Sequence, residues 1–271
     1  MKKIPKIIHY FWFGNNPLPD ELKEYIRSWK EYCPDYKIQK WDETNFDINI
    51  CDYVSEAYKA KKWAFVSDYA RFYILDKIGG IYLDTDVELI KSLTPIINNG
   101  PFLACENQNS TSVAPGLGMA TYAGNYLYDE IVEDYNHDHF LLPNGLYNEQ
   151  PVGERIVNKF LLPAGLKQST KIQKVMGINI YPSTYFCPLN YMTGQMNITD
   201  KTVAIHHYSS SWMTKTDRRF HKLSQRLARF MGVKSAQFLT KTVKFPYTLT
   251  VKIKKIGFKK TIYFYYSKYI K

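Results

Sequence analysis

Between Lys61 and Leu89 the chain reads KKWAFVSDYARFYILDKIGGIYLDTDVEL. Phe65, Tyr69, Phe72, Tyr73, Leu75 and Ile78 recur at helical spacing, which predicts a helix with one apolar side. Gly79 and Gly80 stop it, because a glycine at a helix C-terminus takes the left-handed conformation without a Cβ penalty. IYLDTDVEL then reads as a strand. Its pleat would set Asp84 and Asp86 on one side, with Thr85 opposite. A helix, a glycine break and a buried strand ending in two acids demand an α/β unit.

Two carboxylates side by side repel, and both stay ionised when a cation lies beside them. A D-x-D at a strand end is therefore a seat for Mg²⁺ or Mn²⁺, which take hard oxygen ligands. A solvated strand end is the plain alternative. In open α/β sheets, ligands bind at the carboxyl ends of strands. Two enzyme chemistries share this pattern. In a phosphatase-like D-x-D-x-[TV], the first acid is the phosphoryl nucleophile and the second a general acid/base. That motif belongs on a domain's first strand, yet some eighty residues precede Asp84 and no G-D-x-x-x-D follows. In a glycosyltransferase, D-x-D holds the metal that neutralises a leaving diphosphate.

The rest of the chain fits alternating strands and helices. IPKIIHYFWFG (4–14) is a β-prone run ending in glycine, too short for a membrane span and without a signal-peptide cleavage site. Asp20 is placed to cap a helix through about Tyr32, and 36–42 alternates as a strand. PFLACEN (101–107) is a strand, and 112–124 a glycine-rich loop close to a ligand. Residues 124–136 form a helix, and 148–161 a loop leading into one. TVAIHHYSSSW (202–212) is a strand running into a polar loop. Cys33, Cys51, Cys105 and Cys187 are scattered and read as reduced cytosolic thiols.

Charge divides the chain. Residues 213–271 hold 16 Lys/Arg and one acid, Asp217, whereas 1–212 hold 20 Lys/Arg and 24 acids. The expected organisation is a catalytic domain over 1–212 and a basic extension over 213–271. Residues 217–231 set Phe220, Leu223, Leu227 and Phe230 on one helix face among arginines and lysines. That suits an anionic membrane surface. A basic membrane- or nucleic-acid-binding module is the non-enzymatic alternative, but no recognised nucleic-acid module is present and nucleic acid is not expected as a partner.

SDYARFYILDKIGGIYLDTDVEL resembles the central motif of glycosyltransferase family 32, S-D-x-x-R, an aromatic-rich helix, then G-G-x-Y-x-D-x-D. Asp68, Arg71, Gly79, Gly80, Tyr82, Asp84 and Asp86 all fit. IPKIIHYFWFG resembles that family's first strand through His9, Trp12 and Gly14, and HHYSSSW its C-terminal block. The three blocks span residues 4–212.

The resemblance implies a Rossmann-like GT-A fold and transfer of a sugar from a nucleotide donor with retention. A UDP-hexose such as UDP-galactose is expected as donor and Mn²⁺ or Mg²⁺ as metal. The acceptor is a glycan for capsular or surface polysaccharide, carried on a polyprenyl diphosphate lipid at the inner face of the cell membrane. It implies Trp12 on the base, with Asp68, Arg71, Tyr82 and Asp84 on ribose or sugar. Asp86, with Asp84, His207 and Ser210, would hold the metal, and Trp212 would cover the diphosphate. Glu149 and Gln150, with the two aspartates, are the candidates near the anomeric carbon. His206 would turn to the other face. Such enzymes use front-face attack and electrostatic stabilisation instead of a protein nucleophile.

Overall fold

The computed structural model describes residues 2–209, 214–258 and 261–262. The chain divides into two compact units, one of residues 1–189 with 197–207, the other of 190–196 with 208–271.

The first unit begins with β1 (Ile7–Phe11), α1 (Asp20–Tyr32), β2 (Lys37–Trp41), α2 (Asp52–Lys59) and α3 (Trp63–Ile78). There follow β3 (Gly80–Tyr82), β4 (Val87–Leu89), α4 (Thr94–Asn98), β5 (Phe102–Ala104), β6 (Met119–Thr121) and α5 (Tyr126–Asn136). Next come α6 (Val152–Ile156), a π turn (Val157–Leu161), β7 (Gln173–Val175), β8 (Ile178–Tyr181), α7 (Ser183–Phe186) and β9 (Ala204–His206). The α/β class expected from the sequence is borne out.

Seven strands form one sheet in the order β2-β1-β3-β6-β5-β8-β7, and β4 and β9 pair as a separate antiparallel ribbon. β2, β1 and β3 run parallel, β6 runs against both β3 and β5, and β5 and β8 are parallel. The carboxyl ends of β1, β3 and β5 and the amino end of β6 therefore share one edge. That edge gathers Trp12, Asp84, Glu106 and the 115–118 turn.

α3 is central. Val66, Phe72 and Leu75 are fully buried, and every other position from 68 to 76 except Tyr73 is buried. Each such side chain contributes about 1.5–3 kcal/mol of burial. The strand after it is buried at all three residues.

The glycine pair does more than end α3. Gly79 has φ +75° and Gly80 φ +111°, and a Cβ on Gly80 would lie 2.8 Å from His9 Nε2. The His9 ring fills that space. Its Nδ1 accepts from Trp41 Nε1 (3.0 Å) and its Nε2–H donates to the Gly79 carbonyl (3.0 Å). Burial lowers its pKa to about 4, so the ring is neutral.

Two local expectations are corrected. Asp20 is the first helical residue of α1 and not its cap, which is Pro19; its carboxylate meets Lys23. The stretch 112–124 contains a 3₁₀ turn (Pro115–Leu117) and β6, because Met119–Thr121 fills the slot between β3 and β5.

The second unit is a helical hairpin, α8 (Lys215–Met231) and α9 (Val233–Ile256), joined at Gly232 (φ +80°). Thr214 caps α8 by accepting from the Asp217 N–H (3.1 Å) and donating to its carboxylate (2.7 Å). Segment 190–196 lies along α8. Gln225 donates to the Tyr191 carbonyl (2.8 Å), Arg229 to those of Thr193 and Gly194, and Tyr191 stacks on His221.

Candidate active site

The carboxylate pair is built differently from the sequence expectation. β3 ends at Tyr82, and residues 84–87 form a turn closed by the Val87 N–H on the Asp84 carbonyl (3.1 Å). Turn geometry, not strand pleat, brings the two acids together. By register His207 lies opposite Asp86, and its N–H bonds the Asp86 carbonyl (3.0 Å). Had Asp86 continued the pleat of β4, its side chain would share the side of Glu88 and His207. The turn re-aims it toward His206.

The histidine assignment is therefore corrected. His206 Nε2 lies 3.1 Å from Asp86 Oδ1. One ligand atom from each of Asp84, Asp86 and His206 lies within 4.8 Å of the others. His207 instead places Nε2 2.7 Å from Glu88 Oε2 and stacks on Tyr25 at 4.3 Å and 6°. α1 holds the same ribbon twice more. Trp29 Nε1 donates to the Val87 carbonyl (2.7 Å), and Ser28 Oγ accepts from the Leu89 N–H (2.9 Å). His207 thus fastens the ribbon that presents Asp86 and His206. The sequence could not decide which of two adjacent histidines faces the acids, because a single turn residue reverses the parity.

Asp84 is oriented from below. The Tyr82 hydroxyl donates to Asp84 Oδ1, and Arg71 Nη2 lies 3.7 Å from the same oxygen. Arg71 also pairs with Asp68 (3.0 Å), and its guanidinium lies 4.6 Å from the Tyr82 ring centroid. Tyr82 is 2% exposed and Arg71 5%, so in this structure both act on Asp84. Burial raises the Asp68 pKa to about 6, the Arg71 charge opposing and Asp84 adding to the rise. For His206, burial works downward and is the largest single influence, but Asp86, with Asp84 and Glu106 adding, outweighs it and the pKa is raised.

The other carboxylate oxygen of Asp84 faces Gly116. The Asp84 N–H bonds the Gly116 carbonyl (3.0 Å), and a Cβ on Gly116 would lie 2.1 Å from Asp84 Oδ2. The backbone makes room that any other residue would fill. Two carboxylates and an imidazole form an O,O,N donor set, which fits a divalent cation. Gly116 was legible only as part of a glycine-rich run.

Trp12 sits just beyond β1, half-buried, its Nε1 donating to the Asn16 carbonyl (2.7 Å). Glu106 lies near enough to His206 for its charge to help raise that pKa. Glu149 is half exposed and bonded by Lys62. Gln150 is exposed. Neither Glu149 nor Gln150 belongs to the carboxylate–imidazole cluster among the described residues. Ser210 and Trp212 lie outside the described residues.

Residues 19–103 match the family described as glycosyltransferase sugar-binding region containing DXD motif. The chain is 27% identical over 220 residues to an uncharacterized glycosyltransferase, L373, of Acanthamoeba polyphaga mimivirus, covering 76% of this chain and 83% of that protein. It is 26% identical over 153 residues to inositol phosphoceramide mannosyltransferase 1 of Schizosaccharomyces pombe, covering 52% of this chain and 46% of the yeast protein. Thus it spans under half the length of that relative. A solved glycosyltransferase involved in glycosylation of the major capsid of PBCV-1 is 13% identical, with a TM-score of 0.44 over 80% of this chain and 98% of its own. The family match over residues 19–103, together with the α/β sheet and the acid pair at its carboxyl edge, identifies a glycosyltransferase. The match falls on the stretch that carries the motif resembling glycosyltransferase family 32.

Proposed function

We propose that the protein transfers a hexose from a nucleotide donor, with retention, to a lipid-linked glycan, using Mn²⁺ held by Asp84, Asp86 and His206. One observation carries the reading. The three side chains converge at the sheet edge where parallel strands end, with ligand atoms within 4.8 Å of one another. The metal, when bound, neutralises the leaving diphosphate.

The protein's own residues prepare that position. Arg71 and Tyr82 fix Asp84, and the α1-clamped ribbon fixes Asp86 and His206. Trp12 offers a flat ring to the base at the end of β1. Asp68 and Arg71, buried beneath Asp84, act on the donor through that carboxylate. The roles that the resemblance implies for Ser210 and Trp212, on the metal and over the diphosphate, fall outside the described residues. Glu149 and Gln150 stand as candidates for the acceptor side.

UDP-galactose is the first donor to test. The yeast relative's name keeps a mannosyl donor in the same panel, and its ceramide acceptor supports a lipid-borne acceptor. A role in capsular or other surface polysaccharide at the inner membrane face follows from the motif's resemblance and the basic C-terminal segment. No described helix is long and apolar enough to cross a membrane. The test is nucleotide release from UDP- and GDP-sugars with Mn²⁺, Mg²⁺ or EDTA. Metal-dependent release from one donor supports the reading. Hydrolysis of phosphomonoesters without donor cleavage would establish the phosphatase chemistry instead.

A further inference from the structure

The hairpin of the second unit is built with polar residues along its seam. Asp217, His221 and Ser224 of α8 recur at i, i+4, i+7, and Gln237, Lys241 and Lys244 of α9 do the same. Both sets line one cleft of about 460 Å³, in the size range of small-molecule sites. Two helices that pack for stability alone meet through apolar residues at such positions. Here Leu223 and Leu239 are exposed instead. Near the Gly232 turn the buried positions are small, Ala228 and Ala236. Of the four apolar residues expected to share one face of α8, Phe220 lines the cleft, whereas Phe230 is 89% exposed.

Thr240 lines the same cleft and is 7% exposed, and its buried Oγ1 has no hydrogen-bond partner among the described residues. Other threonines of α9 bond back to their own helix. Thr242 Oγ1 donates to the Phe238 carbonyl (2.9 Å) and Thr248 Oγ1 to that of Lys244 (2.8 Å). Thr240 makes no such bond, so its hydroxyl has given up water with no hydrogen bond in exchange. A ligand in the cleft that donates to it or accepts from it would remove that penalty.

The remaining groups define the ligand. Lys244 Nζ pairs with Asp217 at 2.6 Å, whereas Lys241 pairs with no carboxylate among the described residues. His221 is neutral, because burial lowers its pKa, and its Nε2 accepts from the Gln225 amide (3.0 Å). The lining therefore carries one uncompensated positive charge. Phe220 and Tyr191 add ring surface, and Gln237 and Ser224 add an amide and a hydroxyl. An acyl chain would leave the polar groups unpaired, and a bare inorganic anion would leave the rings uncovered. A pyranose suits both, since its C–H face packs on an aromatic ring and its hydroxyls donate and accept.

We propose that the cleft between α8 and α9 binds an acidic sugar unit of the glycan acceptor, its carboxylate or phosphate on Lys241 and a hydroxyl on Thr240. Such a site holds the acceptor chain to the protein and raises its effective concentration. The inference deepens the proposed function and rests on its glycan acceptor, but sugar binding is read without donor cleavage.

The full-length protein would be titrated with the methyl glycoside of glucuronic acid, with glucose 1-phosphate and with methyl glucoside, followed by saturation-transfer NMR. An acidic sugar should bind about 10-fold more tightly than the neutral one, and the tighter of the two acidic probes identifies the acidic group. Lys241→Met should reduce that probe to the level of the neutral sugar. Thr240→Val should weaken every sugar that binds about 5-fold, while Tm holds or rises because the hydroxyl it removes has no partner. A threonine that only fills space predicts the same Tm with sugar binding unchanged. No preference for either acidic sugar in wild type, or binding that both substitutions leave intact, would overturn the proposal. Sugar binding without nucleotide release from any donor would sink the transferase reading and leave the cleft as a saccharide site. Nucleotide release without sugar binding would sink the cleft alone.

Discussion

In the body of the protein α3 is enclosed on nearly every side, whereas in the hairpin α9 encloses Ala236 and Thr240 and leaves Phe238 in solvent. The two helices are both rich in aromatic and aliphatic residues, so composition alone does not separate them. What separates them is where the apolar side points. α3 spends it on a core that fixes Asp68 and Arg71 under Asp84. α9 keeps it outside, where it contributes little to folding. Hydrophobic burial in the first unit therefore serves the precision of a site, whereas in the second much of the apolar side of α9 stays exposed.

The largest expected effect lies on the core side of this contrast. Phe72→Ala should cost about 3–5 kcal/mol, as for buried aromatics generally, measured by urea unfolding. A cost near that of a surface change would mean α3 is not the pillar described. His9 gives the next. Its folded pKa, about 4, lies below its unfolded value, so the unfolded state binds the extra proton between these limits. The stability His9 confers is full above the unfolded pKa of about 6.5 and is lost as pH falls through 4. His9→Gln should shrink the stability difference between neutral pH and pH 4 by on the order of 3 kcal/mol. An unchanged difference would show that the ring is not held neutral against Gly80.

Within the site, the histidines should part company. His206→Ala removes a proposed ligand and should weaken Mn²⁺ binding by about 100-fold or more, read by calorimetry. His207→Ala loosens only the clamp and should weaken it about 10-fold. Tyr25→Leu should resemble His207→Ala and add little to it. The reverse ranking would return His207 to the metal. Gly116→Ala should also weaken Mn²⁺ about 10-fold by crowding Asp84 Oδ2, with little change in Tm. The smallest effect belongs to the hairpin, where Phe230→Ser should change stability by no more than about 0.5 kcal/mol.

Most of the elements were legible because their periods are strong. The α3–β3 passage, the first strand and the α8 helix all follow from spacing. α9 was not, because lysines alternate irregularly with its rings and Pro246 interrupts the pattern; packing along α8 makes it continuous. The acids and their neighbours Asp68 and Arg71 were legible as a motif. Their geometry was not. A turn at 84–87 replaces the assumed pleat, and this one change sets His206, and not His207, beside the acids. Gly116 was invisible in the same way, since its use depends on a contact 32 positions away in sequence. Glu149 stands before Pro151, where the motif's resemblance implies a group near the anomeric carbon, and its pairing with Lys62 across 87 positions could not be read from sequence.

The central claim is that the Asp84–Asp86–His206 cluster holds a metal for nucleotide-sugar cleavage. The most direct measurement is nucleotide release from the donor panel by wild type and Asp86→Asn, each titrated with Mn²⁺ after EDTA treatment. The account predicts saturable Mn²⁺-dependent release in wild type and none in Asp86→Asn, at matched Tm. Equal release by both proteins, or release that ignores EDTA, would contradict it.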